Sequence, residues 1–152
     1  MRSTMILLTV LFLGSMNPLQ LYGEAGLYSP EYQVREIPLY GPASLPQAEF
    51  SGLSWYNDHL ILLPQYPDYQ TRDGNGVLFA ISRQDLLEVV SNYKESSVEI
   101  LEINIQMSYF RVNIPGFEGF EAIGFYGNDV FLTIEAEPDK ATGYLVKGRI
   151  SP

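Results

Sequence analysis

Four glutamates around one predicted hairpin are the residues best able to do chemistry in this sequence. Glu121 begins a strand, Glu135 ends the neighbouring antiparallel strand, and Glu118 and Glu137 lie just outside them. Carboxylates held by one hairpin could contribute oxygen ligands to Ca²⁺, which takes about six to eight of them. The sequence therefore predicts a calcium site here. The alternative is that these are solvated charges of an acidic protein, since one hairpin supplies too few ligands.

One histidine and two loop tyrosines are candidates for lining a ligand pocket. His59 lies beside a turn with Asp58 adjacent, and Tyr66 and Tyr69 lie in the loop that follows. A lone histidine is a weak indication of catalysis, because nothing in the sequence identifies a nucleophile for it to serve. The sequence contains neither a G-x-S-x-G nucleophile elbow nor a P-loop. Catalytic residues therefore stay unassigned, and ordinary loop packing is the alternative role for the tyrosines.

The composition indicates a turn-rich β protein with an acidic surface. The chain of 152 residues, enough for one domain or two at most, has 11 tyrosines, 13 glycines and 10 prolines, which favour sheets over a helical bundle. Its 18 acidic and 9 basic residues give a formal charge of −9. Such a surface repels nucleic acids and anionic membranes, so a metal ion or a small molecule is the expected kind of partner.

Residues 1–23 are predicted to be a signal peptide. Arg2 precedes an apolar run over residues 5–13, which is too short to span a bilayer comfortably, and a polar, turn-rich stretch follows. Cysteine is absent, which excludes disulfides, thiolate metal sites and a lipid-attachment cysteine. We therefore expect an extracytoplasmic protein, periplasmic or secreted, without a stable membrane span after cleavage. An uncleaved N-terminal anchor is the alternative.

An internal repeat organises the rest of the chain. Residues 50–65, FSGLSWYNDHLILLPQ, align without a gap with residues 120–135, FEAIGFYGNDVFLTIE, so that Phe50 falls on Phe120. Aromatic, small and aliphatic positions match in the two copies. We predict that residues 24–47 form a linker with an edge strand, 48–114 a first blade-like repeat, and 115–152 a second, incomplete one.

Each repeat is predicted to hold three short strands in a meander, followed by a helix and a fourth strand. Trp55 and Phe125 match across the copies and are predicted to be core residues. The predicted helix begins after Ser82, and the turn between the first two strands is Asn57-Asp58. The predicted strands cover residues 32–39, 50–56, 59–63, 77–81, 100–107, 120–126, 129–135 and 144–149. The predicted fold class is all-β with one short helix, built from β-propeller blades: about two four-stranded meanders, the second incomplete.

The repeated phrases resemble a known family. EFSGLSWYNDHLILLPQ and GFEAIGFYGNDVFLTIEAE are similar to the bacterial extracytoplasmic phytase-like, or esterase-like, β-propeller proteins, over about residues 45–150. Blades of that family often begin with an acidic-x-Glu-Gly/Ala-aliphatic phrase, which Glu121-Ala122-Ile123 fits and Ser51-Gly52-Leu53 matches without the glutamate. The resemblance implies a ring of about six blades. It also implies that a glutamate near the channel mouth is a candidate metal ligand.

Three functions follow from these observations. The first is an exported propeller that binds a ligand or acts as a scaffold, with no assigned activity. The second is a metal-dependent phytase-like or esterase-like hydrolase, which the scattered positions of the 9 basic residues disfavour, because phosphate substrates need clustered Lys and Arg. The third is an inactive fragment of a larger propeller. Two blades would leave flanks uncovered, so we expect either missing blades or self-association.

Overall fold

The computed structural model describes residues 36–71, 74–91, 98–137 and 139–150. Within these ranges the chain forms two antiparallel sheets and two helices, and neither sheet closes on itself. Sheet 1 has the strand order β1-β2-β3-β4 and sheet 2 the order β5-β6-β7. The elements, after two 3₁₀ turns at Gly41–Ser44 and Pro46–Ala48, are β1 Phe50–Tyr56, β2 His59–Pro64, β3 Asn75–Ser82, α1 Arg83–Ser91, β4 Leu101–Gln106, α2 Ser108–Asn113, β5 Phe117–Tyr126, β6 Asp129–Ala136 and β7 Thr142–Arg149.

The two aligned hairpins have the same pairing register. In the first hairpin Leu53 pairs with Leu62, and in the second their aligned counterparts Ile123 and Leu132 pair with each other. The register also shifts at the same place, next to Phe50 in β1 and next to Phe120 in β5. The other matching pairs are Phe50↔Pro64 with Phe120↔Ile134, Gly52↔Leu63 with Ala122↔Thr133, Ser54↔Ile61 with Gly124↔Phe131, Trp55↔Leu60 with Phe125↔Val130, and Tyr56↔His59 with Tyr126↔Asp129.

The third strands are equivalent once the loops before them are allowed to differ in length. His59 pairs with Ser82 as Asp129 pairs with Arg149, so Arg149 is the counterpart of Ser82. Between these paired residues the second repeat is three residues shorter than the first, as the sequence predicts. Both two-residue turns use a left-handed first residue, Asn57 at φ 50° and its counterpart Gly127 at φ 58°.

The predicted helix is present and is capped as its sequence indicates. The Ser82 hydroxyl accepts a hydrogen bond of 3.0 Å from the backbone N–H of Asp85, and the helix runs over Arg83–Ser91. A second, shorter helix at Ser108–Asn113, which the sequence analysis does not predict, connects the two repeats.

The main hydrophobic core lies between the two sheets. Gly52 of β1 lies against the backbone of β5, and a side-chain carbon at Gly52 would meet the Ala122 Cα at 3.2 Å. The glycine therefore lets the first strands of the two repeats approach closely. The buried residues of this core are Ile61, Leu63, Leu78, Ala80, Met107, Ile114, Phe120, Ile123, Leu132, Ile134 and Ala136.

The other face of sheet 1 carries a second, smaller core. Leu62, Phe79 and Ile81 are buried there beneath Leu86 of α1 and beneath Ile37 of the N-terminal segment. The Tyr69 hydroxyl donates a hydrogen bond of 2.8 Å to the Pro42 carbonyl, which holds the loop after β2 against this segment. Burial, and then the charge of Glu102, raise the pKa of Tyr69.

Two predictions about individual segments are wrong. A strand is predicted over residues 32–39, of which 32–35 lie outside the described residues; the described part, residues 36–39, is not a strand, and Ile37 and Leu39 pack against the second core instead. Pro38 has no N–H to give to a ladder, which disfavours strand pairing there. Trp55 is 44% exposed rather than core, because it lies on the face of sheet 1 that sheet 2 does not cover.

The predicted signal peptide, residues 1–23, lies outside the described residues. Among the helices that the structure does describe, none is both long and apolar enough to cross a membrane.

Candidate functional site

The four predicted calcium ligands lie at one end of sheet 2, away from its hairpin turn. Glu118 and Glu121 occupy the two positions at which the register of β5 shifts, and Glu135 pairs with that strand at Gly119. Glu137 follows β6, and its N–H donates to the Gly116 carbonyl at 2.9 Å. All four residues are exposed. The bulges therefore direct two carboxylates of β5 toward solvent near the end of β6.

Gln65, which follows β2, hydrogen-bonds to the exposed Glu121 of β5, a contact that the sequence does not predict. The Gln65 side-chain amide donates to Glu121 Oε1 at 3.3 Å, and the backbone carbonyl of Gln65 accepts from the Phe120 N–H at 3.0 Å. A side-chain carbon at Gly119 would lie 2.6 Å from Gln65 Cγ, so that glycine makes room for the glutamine. Residues 65 and 121 are far apart in sequence and no local motif connects them.

The arrangement does not assemble a metal site from the described residues alone. Across the part of the chain that the structure describes, no three acidic or histidine side chains are placed to hold one ion together. A hydrogen bond from an amide occupies one oxygen of Glu121. The calcium hypothesis for Glu118, Glu121, Glu135 and Glu137 therefore stays a prediction.

His59 lines a shallow cleft beside α1. This cleft, of about 630 Å³, is bounded by Asp58, Ser82, Arg83 and residues of the helix. Arg83 fixes its rim, since Nε lies 3.5 Å from Asp58 Oδ1 and the guanidinium lies 5.0 Å from the centre of the Trp55 ring. The Ser82 hydroxyl accepts the helix-capping hydrogen bond, which gives it a structural role. The pocket prediction for His59 and Tyr66 stays untested, and Tyr69 bonds to the backbone.

A charged pair that no sequence motif indicates joins α2 to the loop after β2. Arg111 of α2 donates to both oxygens of Asp68, from Nε at 2.6 Å and from Nη2 at 2.7 Å. Its guanidinium also lies 5.2 Å from the centre of the Phe117 ring. The hydrogen bond to Asp68 raises the pKa of Arg111 above the ordinary value of an arginine. This two-pronged geometry holds α2 against the loop after β2, and lysine could not reproduce it.

The open face of sheet 2 is the face that is turned away from sheet 1. Tyr126 and Leu145 are exposed on it, at 82% and 71%. Asp129 accepts from Lys147 at 2.7 Å at one end, while Arg149 lies 3.6 Å away. By strand alternation and pairing, the residues of this face are Ala122, Gly124, Tyr126, Asp129, Phe131, Thr133, Glu135, Gly143, Leu145, Lys147 and Arg149.

The pKa of Asp129 is expected to lie below that of an ordinary aspartate. The hydrogen bond from Lys147, and then the charges of Lys147 and Arg149, hold its pKa down. Because the pKa falls on folding, the stabilisation is present above the unfolded pKa and is lost as the pH falls through the folded one. Carboxyl-carbon NMR should show that Lys147→Gln raises the midpoint, whereas Lys140→Gln, outside this cluster, leaves it in place. A midpoint unmoved by Lys147→Gln would contradict the assignment.

A cleft lies between β4 and β7. It has a volume of about 850 Å³ and includes Ile105 of β4, Phe110 of α2 and Val146 of β7. Polar side chains at its rim include Asn104, Gln106 and Lys147. The cleft lies where sheet 1 has a fourth strand and the described part of sheet 2 has none.

The chain was compared with known proteins in three ways. No family model matches it, and neither a curated protein nor a solved structure is significantly similar to it. The phytase-like resemblance therefore stays a prediction that rests on the repeated phrases of the sequence.

Proposed function

We propose that this chain is a scaffold module of the β-propeller type, in which sheets stack face to face and a further antiparallel sheet covers the open face of sheet 2. The proposal rests on one observation. The open face of sheet 2 corresponds, position by position, to the face of sheet 1 that sheet 2 already covers. An arrangement that is covered once and open once is typical of a repeating stack.

Two residue pairs carry this correspondence. Leu78 and Leu145 are equivalent, yet Leu78 is 7% exposed between the sheets and Leu145 is 71% exposed. Tyr56 and Tyr126 are equivalent as well. The centre of the Tyr56 ring lies 5.1 Å from the centre of the Phe125 ring, and the Tyr56 hydroxyl donates to Asn128 Oδ1 at 3.1 Å. The exposed Tyr126 could make the same ring contact and the same hydroxyl hydrogen bond with a further sheet.

The remaining positions of the face support the same conclusion. Phe131 and Thr133 take the places of the buried Ile61 and Leu63. A flat sheet face with exposed aromatic and aliphatic side chains is stable in water when another layer covers it. Closure of such a stack into a ring is the arrangement that leaves every face covered.

The predicted export signal at Arg2 and residues 5–13 would place this scaffold outside the cytoplasm. We also propose that the chain is related to the phytase-like and esterase-like propellers, in which further sheets of the same kind complete a ring. For the alternative, a phytase-like or esterase-like hydrolase, the four glutamates of sheet 2 are the candidate metal ligands, and no group of three acidic or histidine side chains meets at one point among the described residues.

Self-association of the purified chain tests the proposal. At micromolar to millimolar concentrations we expect the chain to associate through the open face, because that face is apolar at its centre. Leu145→Lys should weaken association by about tenfold or more, on the order of 1.4 kcal/mol, in sedimentation equilibrium. It should leave urea unfolding of the monomer nearly unchanged, since the side chain is exposed.

Val112→Lys is the matched control. Val112 is also exposed and apolar, but it lies on α2 and outside the open face, so its replacement should not change association. A chain that stays monomeric throughout, melts sharply and reversibly, and responds equally to both lysine variants would contradict the scaffold. Such a result would favour a self-contained β domain.

A further inference from the structure

The outer face of sheet 1, which is the face that sheet 2 does not cover, has an exposed row of side chains along β1. Leu53 and Trp55, which we call the β1 row, are 65% and 44% exposed. Their counterparts in the second repeat, Ile123 and Phe125, pack in the main core between the sheets. Nearer β3 the same outer face is packed beneath α1 and the segment at Ile37. The β1 row therefore has a covered copy within this chain.

The contact between sheets 1 and 2 shows what covers such a row. β1 and β5 are the strands that meet most closely across it. By strand alternation β1 faces β5 with the small residues Gly52 and Ser54, and Gly52 lies against the backbone of Ala122. Small side chains on one strand leave room for large ones on the strand opposite, which here are Ile123 and Phe125.

The open face of sheet 2 repeats the receiving half of this contact. Along β5 it carries Ala122 and Gly124, which are the counterparts of Gly52 and Ser54. A side-chain carbon at Gly124 would meet no atom within 4 Å among the described residues, so there is space above this strand. The open face can therefore receive large side chains in the way that the inner face of sheet 1 does.

The turn ends of the two surfaces match as well. In the existing contact the Tyr56 ring packs on Phe125, and the Tyr56 hydroxyl donates to Asn128 Oδ1. The counterparts of these three residues are, in the same order, Tyr126, Trp55 and Asp58. The Tyr126 residue and the Asp58 side chain are 82% and 83% exposed. A carboxylate in the place of the amide is the stronger acceptor for a tyrosine hydroxyl.

We propose that the open face of sheet 2 binds the β1 row of a second copy of this chain, in a head-to-tail contact. Leu53 of the second copy fills the space beside Gly124. Trp55 of the second copy packs on the ring of Tyr126, whose hydroxyl donates to Asp58. The inference rests on the scaffold proposal and names the partner of the open face. Because the two surfaces differ, the contact repeats from copy to copy until a ring closes.

Arg83 holds the second copy's side of this contact in place. Its guanidinium lies 5.0 Å from the centre of the Trp55 ring, and its Nε lies 3.5 Å from Asp58 Oδ1. Both side chains are therefore positioned before a partner arrives. Fewer freely rotating groups have to be ordered on binding, which favours association.

Leu53→Lys and Leu145→Lys disable opposite halves of a head-to-tail contact. Alone, each variant should associate at least about tenfold more weakly than the unaltered chain, because a lysine charge is buried. An equimolar mixture should form dimers and nothing larger, since the open face of one variant still fits the β1 row of the other. Sedimentation velocity measures the sizes. Val112→Lys, outside both surfaces, is the matched control and should associate like the unaltered chain.

Trp55 is the only tryptophan of the chain, so its fluorescence reports on the β1 row. As the unaltered chain associates, the emission should shift to shorter wavelengths and quenching by acrylamide should decrease, because the ring leaves water. Tyr126→Phe keeps the ring and removes the hydroxyl, and it should weaken association several-fold.

The outcomes separate this inference from the scaffold proposal. If Leu145→Lys weakens association while Leu53→Lys and the Trp55 emission have no response, the head-to-tail contact is wrong and the scaffold proposal stands. If the chain stays monomeric, or if Leu145→Lys associates like the unaltered chain, both are wrong. Circular dichroism confirms that each variant keeps its fold, as expected for substitutions of exposed side chains.

Discussion

Phe120→Ala is expected to lower the free energy of unfolding by about 3–5 kcal/mol, as truncation of a fully buried phenylalanine does. Phe120 is 0% exposed. Its ring lies 5.1 Å from that of Phe110 and 5.5 Å from that of Phe117, both in edge-on contact. Because these neighbours belong to α2 and to the start of β5, removal of the ring leaves a cavity at the junction of the two repeats.

Phe50→Ala is the matched control for this prediction. Phe50 occupies the equivalent position of the first repeat, but it is 39% exposed and contacts Phe79 alone among the aromatic rings of the described residues. We expect a loss of about 1 kcal/mol, close to the average of single substitutions. Urea unfolding followed by circular dichroism measures both variants. Equal losses would mean that the sheets do not pack as described.

Gly76→Ala is the second substitution with a large expected effect, about 1–3 kcal/mol of destabilisation through overpacking. A methyl group at Gly76 would lie 2.6 Å from Met107 Cγ and 2.8 Å from Pro67 Cβ. Both neighbours are buried, and the proline ring cannot rotate away. The backbone must therefore move to admit one carbon atom.

Gly143→Ala tests the same position of the second repeat. Gly143 corresponds to Gly76, but a methyl group there would have no neighbour within 4 Å among the described residues. Its replacement should change stability by no more than about 0.5 kcal/mol. Thermal unfolding of the two variants side by side gives the comparison. A Gly76→Ala protein as stable as the Gly143→Ala protein would show that the contact with Pro67 and Met107 is absent in solution.

The sequence alone determined the seven strands and the two hairpin turns that the structure describes from residue 50 onward, because their signals lie within a few neighbouring residues. Apolar runs, the alternation over residues 100–107 and the repeat together predict each of the seven described strands, and Asn57 and Gly127 tolerate the left-handed conformation of the turn. The capping hydroxyl of Ser82 acts within one helical turn. All of these signals are local, so they can be read from the sequence without knowing which segments pack together in the folded chain.

Only the tertiary structure decided which faces are covered. Trp55 and Phe125 have the same local sequence pattern, yet Phe125 packs in the main core and Trp55 is half exposed, since burial depends on what lies opposite. The same reason explains the absence of a strand at residues 36–40, where Ile37 and Leu39 find an apolar surface without a ladder.

The site divides in the same way. The proximity of its acidic residues could be predicted from the sequence, because a hairpin brings the ends of its two strands together. The contact of Gln65 with Glu121, the fork between Asp68 and Arg111, and the cleft beside β7 were not. Each of these joins residues that are distant along the chain, and their proximity follows from how sheet 1 packs on sheet 2, which no spacing in the sequence encodes.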